Sequence, residues 1–210
     1  MSEDKKEQEV NENEEIEEQD GLAALEQEED QEGESELEEP SNNLMADLPI
    51  EKRMAAFVQG EITLADLYGL PHEELYDIAE YGQMLYKQGK YDDAETIFYA
   101  LTALEPYDEN FHAALGAVYQ RQKKTDEAII EYDRALQCNE FLLVALVNRA
   151  ELHLEKGMFE EVASALQRVF ELEPEGRKPY TQRAQGLAAA IASMVEELAK
   201  QKEESEGAPE

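Results

Sequence analysis

Three histidines, one cysteine and 51 acidic side chains are the groups in this chain of 210 residues that could hold a metal, attack a carbonyl or move a proton. Their spacing argues against each of these. His72, His112 and His153 stand far apart in the sequence, whereas a metal site built on one helix or turn places its ligands about three to five residues apart. They read as surface or helix-packing residues. Cys138 has no second cysteine to pair with, fits a reducing compartment, and lies on the apolar side of its segment, so it reads as a small buried hydrophobe rather than a reactive thiol. The acids do not form the D-x-D-x-D-G pattern of a calcium loop. A Gly-rich phosphate loop, a nucleophile elbow and an HExxH pair are all missing from the sequence, so neither catalysis nor a metal or cofactor is expected.

Charge narrows the partners. The 51 acids face only 18 basic residues, a net charge of -33 that disfavours nucleic acid in the absence of a basic face. Residues 1 to 40 alone carry 19 acids against Lys5 and Lys6. With so few apolar groups to offset chain entropy, residues 1–45 are expected to be a disordered tail. Solvation is its default role, beside two others: a decoy for a basic partner surface, or a diffuse calcium sink. The first residues, "MSEDKKEQEV", lack an apolar signal core, and no uninterrupted apolar run reaches the ~18 residues of a membrane span. A cytoplasmic protein with no direct membrane insertion is expected.

The elements that would position any binding residues begin after Asp47. There "PIEKRMAAFVQG" and "TLADLYGL" bring apolar residues at helical spacing, a helical lead-in over 46–74 with a possible dimerisation role. The next hundred residues repeat with a period of 34: Gly82 and Gly116, Ala94 and Ala128, Leu101 and Ala135 are each one period apart, while Gly89 and Gly157, Tyr91 and Phe159, Pro106 and Pro174 are two apart. Three units follow, over about 75–108, 109–142 and 143–176, each two helices and a turn. In the first, Pro71 opens a helix that shares Leu75, Ile78, Ala79, Met84 and Leu85 between its apolar faces, and Gly89 ends it. The second helix buries Ala94, Ile97, Phe98, Leu101 and Leu104 until Pro106 stops it. The third unit departs by carrying Arg149, Ala150 and Val162 where the first has Tyr81, Gly82 and Ala94. After a brief basic patch, "EGRKPY", a helix within 177–201 shows a stripe of Leu187, Ala190, Ile191, Met194, Val195 and Leu198, suited to capping an open stack, and 202–210 is expected to be disordered.

With period, small residues and stops in place, the chain resembles the tetratricopeptide repeat family: an all-α helical array of three helix-turn-helix repeats with lead-in helices and a capping helix. A narrower likeness lies in "TLADLYGLP" ahead of the repeats and in the dense block "YGQMLYKQGKYDDAETIFYALTALEPYDENFHAALGAVYQ". These look like the class II chaperones of bacterial type III secretion, the LcrH/SycD/SicA group. The resemblance covers about residues 60 to 200 and implies a homodimer, often through the lead-in, and a concave groove that holds hydrophobic translocator proteins before export.

In stacked helix pairs the first helix of each unit lines the inner curve. Helical spacing assigns to that face Tyr76, Ala79, Gln83 and Tyr86, then Asn110, Ala113, Ala117 and Gln120, then Val144, Val147 and Glu151. A tyrosine and alanine lining suits apolar anchors of an extended segment better than a terminal carboxylate, which would call for Lys and Arg. The packing alternative, in which Tyr76 and Tyr86 lie between helices and touch no ligand, stands beside it. Two functions remain: a secretion chaperone that binds its client stoichiometrically, or a generic repeat scaffold joining proteins of an unrelated complex.

Overall fold

The computed structural model describes residues 48–206, and every regular element among them is a helix. The acidic segment 1–45, expected to be disordered, lies outside the described residues, as do residues 207–210. The chain divides between Ala145 and Leu146 into two compact units. The first holds α1 (Ile50–Gln59), α2 (Leu64–Tyr68), the pair α3 (His72–Lys87) and α4 (Tyr91–Leu104), and the pair α5 (Glu109–Arg121) and α6 (Thr125–Cys138). α7 (Leu143–Glu155) starts there and runs into the second unit, where α8 (Phe159–Leu172) completes the third pair and α9 (Pro179–Glu206) follows.

Local chemistry sets the helix ends. Thr63 closes a capping box on α2, its hydroxyl accepting from the Asp66 amide while the Asp66 carboxylate accepts from the Thr63 amide. Pro71 sits one position ahead of the helical residues, as the N-cap of α3. The turns inside the three pairs need a left-handed residue at one register. Gly89 and Gly157 supply it with φ of 72°, and Lys123, one period after Gly89, takes φ of 62° despite its Cβ.

Helices within a pair approach closely because a side chain is missing at one point. A Cβ on Gly82 would lie 2.9 Å from Ile97 Cγ2 and 3.0 Å from Phe98 Cζ, and a Cβ on Gly116 would lie 2.9 Å from Tyr132 Cε1. Phe98 and Tyr132 are fully buried, as are Ala94, Ala128 and Ala135. One core joins α2 to α5 through Ala65, Leu75, Phe98, Leu101, Phe111 and Leu115, with Ile97 and Leu104 only partly buried at its margin. The third pair also buries the two departures from the pattern, Ala150 and Val162.

Two expectations need correction. Ile78 and Met84 do not share the buried face of Leu75, Ala79 and Leu85. With Tyr81 they are 41%, 44% and 53% exposed, whereas one period later His112, Val118 and Leu115 are 5% exposed or less. The difference is a neighbour, because α4 packs on α5 but, among the described residues, no preceding repeat pair packs on α3. On α9, burial is confined to the start of the helix, at Tyr180, Thr181 and Ala184; farther on, Leu187 and Ile191 are half-buried and Ala190, Met194 and Val195 are exposed. The helix continues to Glu206, past the boundary at 201 expected from its charge run.

Two substitutions should move the melting temperature in opposite directions. Gly116→Leu is expected to cost about 1–3 kcal/mol, because the ring it meets is buried and cannot swing away. Lys123→Gly is expected to stabilise by about 1 kcal/mol by releasing a left-handed Cβ. Thermal denaturation of both variants checks the pair; an unchanged Gly116→Leu protein contradicts the close approach.

Candidate peptide-binding face

The eleven inner-face residues fall into two groups. Ala79, Tyr86, Asn110, Ala113, Ala117, Val144 and Val147 are buried, and Tyr76, Gln83, Gln120 and Glu151 are half-buried. Ala79, Tyr86 and Ala117 belong to the core of the first unit. Tyr86 meets Tyr91 edge to face, with ring centroids 5.5 Å apart. Helical spacing places these residues on one side of their helices, but it does not tell which of them a neighbouring helix covers.

Tyr76 and Asn110, one period apart, are brought together. The Asn110 side-chain amide donates to the Tyr76 hydroxyl at 3.1 Å, and that hydroxyl donates to Asp108 Oδ2 at 2.9 Å. The other oxygen of Asp108 accepts the backbone amides of Asn110 and Phe111, which makes it the N-cap of α5. The Tyr76 ring packs against Phe111 at 5.1 Å and stacks on His72 at 5.7 Å. Farther along, the Gln120 carbonyl accepts from the Tyr132 hydroxyl at 3.0 Å. Glu151, in the second unit, holds Arg183 Nη2 through both carboxylate oxygens, each at 2.6 Å.

The other residues considered for chemistry have structural places. His112 is buried, with Nδ1 2.7 Å from Glu131 Oε2 and Nε2 3.1 Å from the Pro106 carbonyl. Both partners are acceptors, so the tautomer of the ring decides which of them receives its N–H. Arg134 completes the cluster at 2.6 Å from Glu131 Oε1. His72 is exposed and His153 half-buried. Cys138 corrects the sequence reading: its thiol is exposed, because α6 turns that side outward at its last residue. Although the residue is exposed, partial desolvation of its sulfur pushes the thiol up from its usual range, and the Glu109 and Asp108 carboxylates add to this.

Sequence reasoning missed Tyr107 and Asp108. Both follow Pro106, in the loop that leads into α5, and Tyr107 is one period ahead of Phe141; both aromatics are exposed. A signal existed in that spacing of two aromatics. Nearby, burial raises the Glu105 carboxyl above the usual carboxylate range, against the hydrogen bond it accepts from the Thr63 hydroxyl and the charge of His72, and with Asp66 and Asp108 adding to the rise.

An array of helix pairs with this period and these small-residue contacts defines a tetratricopeptide repeat protein, and residues 72–108 match the family pattern described as tetratricopeptide repeat. The chain is 31% identical over 153 residues to the low calcium response locus protein H of Yersinia pseudotuberculosis, covering 71% of this chain and 86% of that protein. The structure of the Yersinia enterocolitica type III secretion translocator chaperone SycD matches with a TM-score of 0.56 and 30% identity, over 61% of this chain and 98% of SycD. SycD in complex with a peptide of the translocator YopD, also from Yersinia enterocolitica, matches with a TM-score of 0.51 and 29% identity, over 63% and 98%. The chain belongs to this family of type III secretion chaperones built on tetratricopeptide repeats.

The charged form of Glu105 is penalised in the fold, so its cost is present above its raised folded pKa and absent once pH falls below the unfolded value. Glu105→Gln, which can still accept from Thr63, should raise the melting temperature at neutral pH. The gain should vanish under conditions more acidic than the ordinary carboxylate range, which paired melts at the two pH values would reveal.

Proposed function

We propose that this protein binds a hydrophobic translocator segment in extended form, keeping it soluble and export-competent in the cytoplasm, by stoichiometric binding and without catalysis. The observation that carries the reading most is the likeness over 98% of the SycD chain solved with a YopD peptide. Physical sense supports it. A membrane-destined segment leaves apolar surface wet at a cost of about 25 cal/mol per Å2, which covering by a folded partner removes. Of the inner-face residues of the first unit, those outside the buried set are Tyr76, Gln83 and Gln120. Among the described residues, no helix is long and apolar enough to cross a membrane.

Co-expression with a candidate translocator tests this directly: the translocator should be recovered in the soluble fraction only alongside the chaperone. Gln83→Arg with Gln120→Arg should reduce recovery by roughly tenfold, the loss expected when central contacts of an interface are removed, while the chain stays folded at a cost of about 1 kcal/mol for the acceptor the Tyr132 hydroxyl loses. Undiminished recovery would move the client off this face.

We further propose a homodimer. Two apolar surfaces in the first unit are uncovered: Ile50, Met54, Phe57 and Val58 on α1, and Ile78, Tyr81 and Met84 on α3. The α3 surface has the register at which a repeat normally receives its neighbour, and a second copy supplies a partner for it. Ile78→Glu together with Met84→Glu should leave the fold intact and convert dimer to monomer in sedimentation. An unchanged mass would exclude α3.

A further inference from the structure

One pocket of the first unit has no part in the reading above. It measures about 720 Å3 and opens between α4 and α6, with Pro106 and His112 among the residues lining it, Tyr99 and Tyr107 on one side and Gln137 and Cys138 on the other. None of the eleven inner-face residues lines it. Tyr99 and Tyr107 are 63% and 72% exposed, an unusual investment of aromatic surface beside a hollow. Exposed tyrosines and an arginine around a pocket are the composition of interface anchors rather than of ordinary surface. Arg134, which also lines it, is bound to Glu131, so its charge is offset and does not repel a cationic partner.

Tyr107 also borders a second hollow of about 340 Å3, lined by Glu105, Asp108 and Glu109 and by His72 and Tyr76, the latter the one inner-face residue it shares. Asp108 is consumed by the α5 cap and Glu109 accepts one hydrogen bond from Asn139. Glu109 and Asp108 nevertheless leave a negative field, one that helps to raise the Cys138 thiol. A tyrosine-rimmed hollow of mixed polarity and an acidic hollow thus share Tyr107. We propose that this turn edge is a second docking surface, taking a protein segment in which a large apolar side chain is flanked by lysine or arginine. The apolar group enters between Tyr99, Tyr107 and Cys138, and the cation lies against Glu105 and Glu109. A chain of net charge -33 draws such a basic segment in.

The lone thiol reports on the site. The probe is a capped Gly/Ser peptide carrying one tryptophan between lysines, added to the full chain while iodoacetamide alkylation of Cys138 is followed by mass spectrometry. The peptide should slow alkylation. Tyr107→Ser, at an exposed loop position, should weaken that protection by about fivefold or more, as expected for a central interface tyrosine. The Gln83→Arg, Gln120→Arg chain should keep full protection, which separates this surface from the client face. No protection, or equal protection by a peptide with serine in place of tryptophan, would overturn the proposal, the latter reducing it to general charge attraction.

Discussion

Two helices can lie against each other only as closely as the side chains between them allow, and in the first two pairs that limit is set by the absence of one Cβ. Gly82 receives Phe98 and Gly116 receives Tyr132, with ring carbons 3.0 Å and 2.9 Å from where a Cβ would be, closer than ordinary van der Waals contact. The buried alanines of α4 and α6 serve the same approach from the other side. Once that spacing is fixed, the turn must reverse the chain in very few residues, and the left-handed position follows as a requirement. Gly89 and Gly157 meet it cheaply and Lys123 meets it at a cost.

Between pairs the fold relies on polar groups as much as apolar ones. Asp108 binds two backbone amides and a tyrosine hydroxyl, and His112 spans from the Pro106 carbonyl to Glu131. Both clusters are buried with their partners in place, so each fixes a particular register of α5 where apolar contact alone would tolerate sliding. The same residues leave the expected inner side of α5 small and largely closed, with the Asn110 amide donating to Tyr76.

The repeat and its boundaries were legible because glycine and proline advertise backbone needs: Gly89, Gly157, Pro106 and Pro174 all stand where a helix stops. Lys123 was silent on the same point, since a lysine carries no sign that its backbone is left-handed. The inner face was only half legible. A spacing of three or four residues identifies one side of a helix, and it correctly grouped Tyr76 with Asn110, but it does not reveal what lies opposite. Hence Ala79, Tyr86 and Ala117 prove to be core, and Ile78 and Met84 prove to be exposed. Cys138 was misjudged for the related reason that a helix's last residue escapes the packing of its earlier turns.

The bare side of α3 has a consequence for how the molecule comes apart. Each rod in such a stack is buttressed by its sequence neighbours, and in a single copy, before any partner covers it, the Ile78, Tyr81 and Met84 side of α3 is left exposed. Transient opening is therefore cheapest at that end, and amide protons of α3 should exchange ahead of those in α5, whose flanks are both occupied. A fold built from near-identical modules thus acquires a direction, with a loose beginning and a tight middle, from nothing more than where the series starts.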